Sequence, residues 1–234
     1  MLIKFIMLTV VAYLVGSIPT AYLVARWRKG IDIRQYGSGN VGASNVMATV
    51  SKGWSVFVTL FDIAKGAGMV WAAQLLGLST AHQAFVGLAA VVGHNWTVFL
   101  HFQGGRGIFT SLGVIFIMAP RVGVFALVFP YLFFAPFKIL PLGVTIALIL
   151  LPLISWLLRV PFAVGQPLPV ALCFLAIFLI AMVRRFTAPR SPISASTPTG
   201  ELALNRLLFD RDIRDREAWI NQTRSEAKQT KYSI

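Results

Sequence analysis

Two short stretches rich in glycine and small polar residues interrupt an otherwise apolar chain. The first reads Tyr-Gly-Ser-Gly-Asn-Val-Gly-Ala-Ser-Asn over residues 36–45, and the second reads Gly-Gly-Arg-Gly over residues 104–107. Glycine lets backbone N–H groups approach a ligand closely, and serine and asparagine side chains add further donors. The arginine of the second stretch adds a fixed cation. This combination predicts an oxyanion site at the edge of a membrane, and phosphate is the anion that we expect.

A few ionisable residues elsewhere have two possible roles. Asp62 and Lys65 lie three positions apart in an apolar segment, so a helix would place them on one face, where they can pair. The pair is explained equally well by mutual neutralisation and by a functional role. His94, just before the second stretch, suits a helix-end structural histidine or a proton carrier. Arg184 and Arg185 follow the last apolar segment, either as phosphate cations or as ordinary markers of a cytoplasmic helix end.

The composition indicates an integral membrane protein. Hydrophobic residues make up 57% of the 234 residues, charged residues only 12%, and the mean hydropathy is +0.75. Residues 1–190 contain 14 Lys and Arg residues but only two acidic residues. These cations lie at the ends of apolar segments, where topology and anionic lipid account for them, so we do not expect nucleic acid as a partner.

The apolar segments predict an all-α protein with about seven transmembrane helices. They cover residues 5–25, 54–78, 84–102, 108–137, 139–158 and 168–183. The fourth segment contains Pro120 and divides into two short or tilted helices, which brings the count to seven. The basic cluster after the first segment marks the cytoplasmic side, so the amino terminus is expected outside and the carboxyl terminus in the cytoplasm.

Three regions follow from this pattern. Residues 1–186 form the predicted membrane domain, and residues 187–200 are rich in Pro, Ser and Thr, as linkers are. Residues 201–234 form a predicted cytoplasmic tail, in which leucines and alternating charges over residues 201–222 predict an amphipathic helix.

The polar motifs resemble those of the PlsY-type glycerol-3-phosphate acyltransferases of bacteria. Those proteins carry S-G-N-x-G-[AS]-[TS]-N in the first cytoplasmic loop, D-x-x-K-G in the next helix, and G-H followed by F-x-G-G-K-G in the next loop. The matching residues here are 38–45, 62–66, Gly93, His94, Phe102 and 104–107. The resemblance covers about residues 10–115.

The resemblance implies a seven-span enzyme of the bacterial inner membrane. It would transfer a fatty acyl group from acyl phosphate to the 1-hydroxyl of glycerol 3-phosphate, giving lysophosphatidate for phospholipid synthesis. Its partners would be these two substrates and membrane lipid, and protein partners are not identified. Because the acyl phosphate is already activated, we expect no metal, no thioester cofactor and no enzyme nucleophile.

The resemblance also assigns roles residue by residue. Ser38 and Arg106 would be the catalytic pair. Contacts to phosphate or to glycerol hydroxyls are expected from Gly39, Asn40, Gly42, Asn45, His94, Gly104, Gly105 and Gly107. Further candidates are Asp62, Lys65, Arg184 and Arg185.

The sequence departs from the family pattern at three places. Arg106 stands where the family usually has lysine, and Ala48 stands where it usually has arginine. The third family motif, His-x-x-Asn followed by a glycine and an acid, should fall around residues 184–201, yet residues 184–190 contain neither His nor Asn.

Two other functions stay open. The first is a non-catalytic paralogue that binds a phosphorylated lipid or partners an active acyltransferase. The second is a small transporter with a basic anion site, which is weakened because the polar motifs cluster in loops on one side.

Overall fold

A computed structural model describes residues 1–221, and every regular element within that range is helical. Short 3₁₀ helices cover Ile33–Gln35, Val98–Leu100 and Pro192–Ser194, and a further helix begins at residue 216. The α-helices are α1 (Leu2–Ser17), α2 (Thr20–Lys29), α3 (Ala43–Thr49), α4 (Lys52–Leu75), α5 (Thr80–Asn95), α6 (Ile108–Met118), α7 (Pro120–Phe133), α8 (Leu140–Leu157), α9 (Pro167–Phe186) and α10 (Thr199–Phe209).

The first apolar segment is broken between α1 and α2. Proline has no backbone N–H, so Pro19 ends the hydrogen-bond ladder of α1 and leaves carbonyl groups to be satisfied by other partners. The ammonium group of Lys65 donates to the Ile18 carbonyl at 3.2 Å, and the Thr97 hydroxyl donates to the Ser17 carbonyl. The helix is therefore interrupted at Pro19, and side chains of neighbouring segments stabilise the interruption.

Close backbone contact joins α4 to α6. Gly66 of α4 packs on the Thr110 carbonyl, and Gly113 of α6 packs on the Ile63 carbonyl; a side chain at either glycine would collide with that backbone. Small residues allow this approach between membrane helices. As a result the start of α6, which follows the second glycine stretch, is fixed against the middle of α4.

Over the described residues 1–221, five helical segments are long and apolar enough to cross a membrane: Leu2–Lys29, Lys52–Leu75, Thr80–Leu100, Leu140–Leu157 and Pro167–Phe186. The expected division at Pro120 is present, because α6 ends two residues before that proline and α7 begins at it. The two helices have 11 and 14 residues. At 1.5 Å per residue they extend about 16 and 21 Å, less than the ~30 Å hydrocarbon core.

The connecting segments gather at two opposite ends of the helices. Residues 30–51, 96–107, 134–139 and 187–212 belong to one end and contribute to shared cavities there. At the other end, the Arg121 guanidinium donates to the Pro161 carbonyl and joins the α6–α7 turn to the α8–α9 loop.

The structure differs from the sequence expectations in some boundaries. The region expected as a loop between the first two spans contains α3, so the last three residues of the first polar stretch are helical. The third span, expected to end at residue 102, ends at Leu100, because α5 stops at Asn95 and the 3₁₀ helix Val98–Leu100 follows it. The tail helix expected over residues 201–222 ends at Phe209, where Asp210 takes a left-handed conformation (φ 54°). Residues 222–234 lie outside the described residues.

Candidate active site

Asn45 organises the first glycine-rich loop. Its side chain is 1% exposed, and its amide nitrogen donates to the carbonyls of Ile33, Tyr36 and Asn40 at 2.9–3.1 Å. Its amide oxygen accepts from the Ser38 N–H at 3.1 Å. The substrate contact expected of Asn45 stays a prediction, since its amide is used within the loop in this structure.

The backbone turns sharply on both sides of Ser38. Gly37 and Gly39 have φ values of +61° and +69°, in the left-handed region that favours glycine. The Ser38 hydroxyl accepts from the Asn40 N–H at 3.4 Å, and both side chains line the cavities described below. The spacing of the glycines therefore presents Ser38 and Asn40 to the site, while Gly42 caps the start of α3.

The second loop is clamped by the end of α9. The Arg184 guanidinium donates to the carbonyls of Gly104 and Gly105 at 2.8 and 3.0 Å. In return, Arg106 Nη1 donates to the Arg184 carbonyl at 3.1 Å, and Arg106 Nε lies 3.3 Å from Asp210 Oδ1. The positive charge of Arg106 is thus fixed in place by a backbone carbonyl and a carboxylate.

A buried ionic cluster lies beneath these loops. Lys65 Nζ is 2.9 Å from Asp62 Oδ1, and His94 Nδ1 is 3.6 Å from the same oxygen. All three side chains are at most 8% exposed. The predicted Asp62–Lys65 pairing is confirmed. Because Gly105 has no side chain, its backbone packs directly against the His94 ring, so the cluster supports the second loop.

The segment after α9 folds back over the site. Arg206 Nε is 2.8 Å from Asp212 Oδ1, and both side chains are 4% exposed. The backbone N–H of Ser191 and the hydroxyl of Ser194 also donate to Asp212. Burial opposes ionisation of Asp212, but the hydrogen bonds from Arg206, Ser191 and Ser194 outweigh it and lower its pKa below the usual value.

Arg185 is held between α8, α9 and α10. Its side chain is 2% exposed, and its Nη1 donates to the Thr145 hydroxyl at 2.6 Å and to the Leu207 carbonyl at 3.2 Å. Its Nε is 3.5 Å from Asp210 Oδ1. Asp210 therefore lies between Arg106 and Arg185 and joins the tail to the second loop.

Sequence reasoning missed Asp210, Arg206 and Asp212. The third family motif is expected around residues 184–201, whereas the structure brings residues 199–212 over the site. The available signal was the alternation of charges after residue 200, which is also typical of a solvated helix.

Three cavities meet at Asn40 and Arg106. The apolar cavity, of about 210 Å³, lies between α6, α7 and α8 and is lined by Leu112, Ile115, Leu127, Val144 and Leu148 among others. The Lys138 cavity, of about 510 Å³, also contains Arg211 and Arg216. The Arg190 cavity, of about 620 Å³, also contains Arg34 and Arg184. Ser38 lines both basic cavities.

The arrangement can hold anionic groups beside an apolar chain. Within residues 1–221, no three His, Cys, Asp or Glu side chains are placed to hold a metal ion. Of the predicted site residues, Ser38, Gly39, Asn40, Gly104, Arg106 and Arg184 line the Arg190 cavity, while Gly42, Asp62, His94, Gly107 and Arg185 line the apolar cavity. The two glycine stretches are therefore adjacent in the fold, and Lys65 reaches the site through Asp62.

Comparison with known proteins gives a consistent result. The family model described as glycerol-3-phosphate acyltransferase matches residues 6–190. Glycerol-3-phosphate acyltransferase 5 of Dehalococcoides mccartyi is 44% identical over 98% of both chains. Glycerol-3-phosphate acyltransferase 4 of another strain of that species is 47% identical over 96% of this chain and 97% of the relative. The chain is also similar to a crystal structure of PlsY, an integral membrane glycerol 3-phosphate acyltransferase, in its glycerol 3-phosphate form. The two structures superpose with a TM-score of 0.73 and 31% sequence identity, over 91% of this chain and 96% of that chain.

Proposed function

Because this chain belongs to the glycerol-3-phosphate acyltransferase family and transfers an acyl group to glycerol 3-phosphate, we propose that its donor is an acyl phosphate and that the 1-hydroxyl is acylated. The products are then lysophosphatidate and inorganic phosphate. The non-catalytic alternative is not favoured, since relatives over nearly the full length carry the name of the enzyme.

The observation that carries this proposal is the meeting of the three cavities at Asn40 and Arg106. An acyl phosphate has an apolar chain and a charged head, and glycerol 3-phosphate is polar throughout. An apolar cavity between helices suits the chain, and basic cavities open to the loops suit the phosphates. The scissile bond of the donor then lies where the three spaces join.

The chemistry needs positioning and charge stabilisation. The acceptor hydroxyl attacks the acyl carbon, a C–O ester bond forms, and the bond from the acyl carbon to the phosphate oxygen breaks. The hydroxyl proton leaves with the phosphate. Arg106 stabilises the charge on the leaving phosphate, and Ser38 and Asn40 orient the substrates by hydrogen bonds.

The remaining predicted residues support these groups. Gly104 and Gly105 offer their carbonyls to Arg184 and so fix the loop that carries Arg106. His94, Asp62 and Lys65 hold that loop from below. We propose that these residues position the guanidinium group of Arg106 and do not contact the reacting atoms themselves.

We also propose seven spans, an outside amino terminus and a location in the bacterial inner membrane. The path of the chain supports this arrangement, because the ends of α2, α5, α7 and α9 lie with the site and the ends of α4, α6 and α8 lie at the opposite end. Basic residues are concentrated at the site end, as the positive-inside rule requires of the cytoplasmic face. PlsY, the structural neighbour, is an integral membrane protein.

The proposed donor is tested by comparing an acyl phosphate with an acyl thioester as substrate. The purified protein in liposomes receives glycerol 3-phosphate with palmitoyl phosphate or with palmitoyl coenzyme A, and the product is identified by mass spectrometry. We expect 1-palmitoyl lysophosphatidate with the acyl phosphate alone. Equal or faster product formation from the thioester would overturn the proposed donor.

A further inference from the structure

The reaction proposed above involves two phosphate groups, one on each substrate, and the site has two basic cavities on either side of Arg106. Arg106, Asn40 and Ser38 line both cavities, so these residues do not distinguish the two phosphates. The cations that differ are Lys138, Arg211 and Arg216 in one cavity and Arg34, Arg184 and Arg190 in the other. These residues are the candidates for separate recognition of donor and acceptor.

The Lys138 cavity is continuous with the apolar cavity. Both are lined by Ser44, Leu140, Pro141 and Asp210 as well as by Asn40 and Arg106. The Arg190 cavity shares only Asn40 and Arg106 with the apolar cavity. A molecule whose chain fills the apolar cavity therefore has its head directed into the Lys138 cavity.

Within residues 1–221, no carboxylate forms an ion pair with Lys138, Arg211 or Arg216, the three cations that are specific to the Lys138 cavity. Arg211 Nε is buried and has no hydrogen-bond partner among residues 1–221, while its guanidinium lies 5.0 Å from the Phe209 ring. Burial and the like charge of Arg216 lower the pKa of Arg211, although Asp215 opposes the shift. Neighbouring cations held in this way attract an anion.

Asp210 lines this cavity and Asp215 lies near Arg211, but both carboxylates have other partners. Asp215 Oδ1 accepts from the backbone N–H groups of Glu217 and Ala218 at 2.8 and 3.0 Å. Asp210 Oδ1 lies between Arg106 and Arg185. Neither carboxylate therefore takes the position of an anionic ligand at Lys138 or Arg211.

We propose that Lys138 and Arg211 bind the phosphate group of the acyl donor, and that the Arg190 cavity receives glycerol 3-phosphate. This assignment rests on the proposed function. The α7–α8 loop, which carries Lys138, and the segment after α10, which carries Arg211, thereby become the donor-recognition elements of the enzyme.

The experiment compares Lys138→Gln, Arg211→Gln and Arg190→Gln with the unaltered full-length protein in liposomes. Arg159→Gln, in the exposed α8–α9 loop at the opposite end, is the matched control. KM is measured separately for palmitoyl phosphate and for glycerol 3-phosphate. Losing one charged hydrogen bond is expected to raise KM for palmitoyl phosphate about tenfold in the Lys138 and Arg211 variants, with KM for glycerol 3-phosphate unchanged.

The reciprocal result is expected for Arg190→Gln, which should raise KM for glycerol 3-phosphate alone. Lys138 is exposed, so its variant remains informative even if Arg211→Gln does not fold. An increase in KM for glycerol 3-phosphate, or no change in either KM, in an active Lys138→Gln protein would overturn the assignment and leave the proposed function intact.

A binding measurement distinguishes failure of the proposed function from failure of the assignment of the donor phosphate to the Lys138 cavity. If the unaltered protein shows no turnover, the proposed function fails, and hexadecyl phosphate then tests the cavity by its effect on the thermal unfolding temperature. A ligand that binds only the folded protein raises that temperature. The assignment requires this increase in the unaltered protein and a smaller increase in Lys138→Gln; equal increases would contradict it.

Discussion

Arg106 makes two contacts with two different nitrogen atoms of its guanidinium group. Its Nη1 donates to the Arg184 carbonyl, and its Nε faces Asp210. A lysine would keep the charge but would present one ammonium group to both partners. The arginine at this position is thus matched to Asp210, which the left-handed end of α10 brings to the site.

We expect Arg106→Lys to retain activity and Arg106→Ala to lose most of it. The lysine variant should lower kcat/KM about tenfold, because charge is kept while one directed contact is lost, and the alanine variant should lower it at least about a hundredfold. Steady-state kinetics on the purified variants measures both values. Equal activity of the alanine variant and the unaltered protein would remove Arg106 from the proposed mechanism.

The residues of the two glycine stretches could be predicted because their types are unusual in an apolar chain. Ser38, Asn40 and Arg106 need only local sequence to be recognised as candidate phosphate ligands. Arg206 and Asp212 could not be predicted in the same way, since a charge in a mixed-charge tail looks identical whether it is solvated or buried. Their role depends on a contact made after the tail folds back onto the site.

At the scale of helices, the proline breaks could also be predicted. Pro19 and Pro120 interrupt apolar runs, and the structure divides its helices at both. The start of α3 inside a stretch rich in glycine and asparagine was missed, because those residues usually indicate turns. Here the backbone of Asn45 is helical, while its side chain forms hydrogen bonds with the backbone of the preceding loop.

The Asp62–Lys65 pair provides an element-scale prediction. Replacing Lys65 by methionine leaves a buried carboxylate without its cation and leaves the Ile18 carbonyl without its donor, so we expect a loss of about 3–5 kcal/mol in unfolding free energy. The double variant Asp62→Asn/Lys65→Met removes both charges and should recover part of this loss. Unfolding in detergent measures both, and a Lys65→Met protein as stable as the unaltered one would show that the pair is not needed.

The docking of the tail gives a second prediction at this scale. Asp212→Asn removes the charge that pairs with Arg206, so amide hydrogen exchange over residues 199–212 should become at least about tenfold faster. Glu201→Gln, an exposed change in α10 and within the same range of residues, is the control. Unchanged protection in Asp212→Asn would mean that apolar contacts alone hold the tail.

The pH dependence of docking follows from the lowered pKa of Asp212. A carboxylate with a lowered pKa in the folded state contributes its full stabilisation above its unfolded value of about 3.9 and loses it as the pH falls through the lowered value. We therefore expect protection of residues 199–212 to be constant from about pH 7 to pH 5 and to be lost below about pH 4. Loss of protection near pH 6 would contradict this origin.

For the whole molecule, the membrane character could be predicted from composition and the helical class from the lengths of the apolar segments, whereas the meeting of the cavities could not be predicted. A high fraction of apolar residues indicates that lipid, and not water, surrounds most of the chain. The position of a site depends on how segments far apart in the sequence converge, as the loop residue Asn40 and Arg185 of α9 do around the apolar cavity. Short helices such as α6 and α7 also fall below the length at which a span can be assigned from hydropathy alone.

The proposed topology can be tested with single cysteines. Cys173 is the only cysteine in the chain and is buried, so a Cys173→Ala background is suitable. Arg159→Cys should react with a membrane-impermeant maleimide in intact cells, and Lys29→Cys should react only after the membrane is opened. The opposite labelling pattern would reverse the orientation, and labelling of both in intact cells would exclude the proposed spans.

The most direct test of the central claim is the stoichiometry of turnover by the purified protein supplied with palmitoyl phosphate and radiolabelled glycerol 3-phosphate. We expect one lysophosphatidate for each inorganic phosphate released, with both products reduced together in Ser38→Ala and Arg106→Ala and retained in Arg159→Gln. Phosphate release without lysophosphatidate, or no turnover while a relative is active in the same assay, would contradict it.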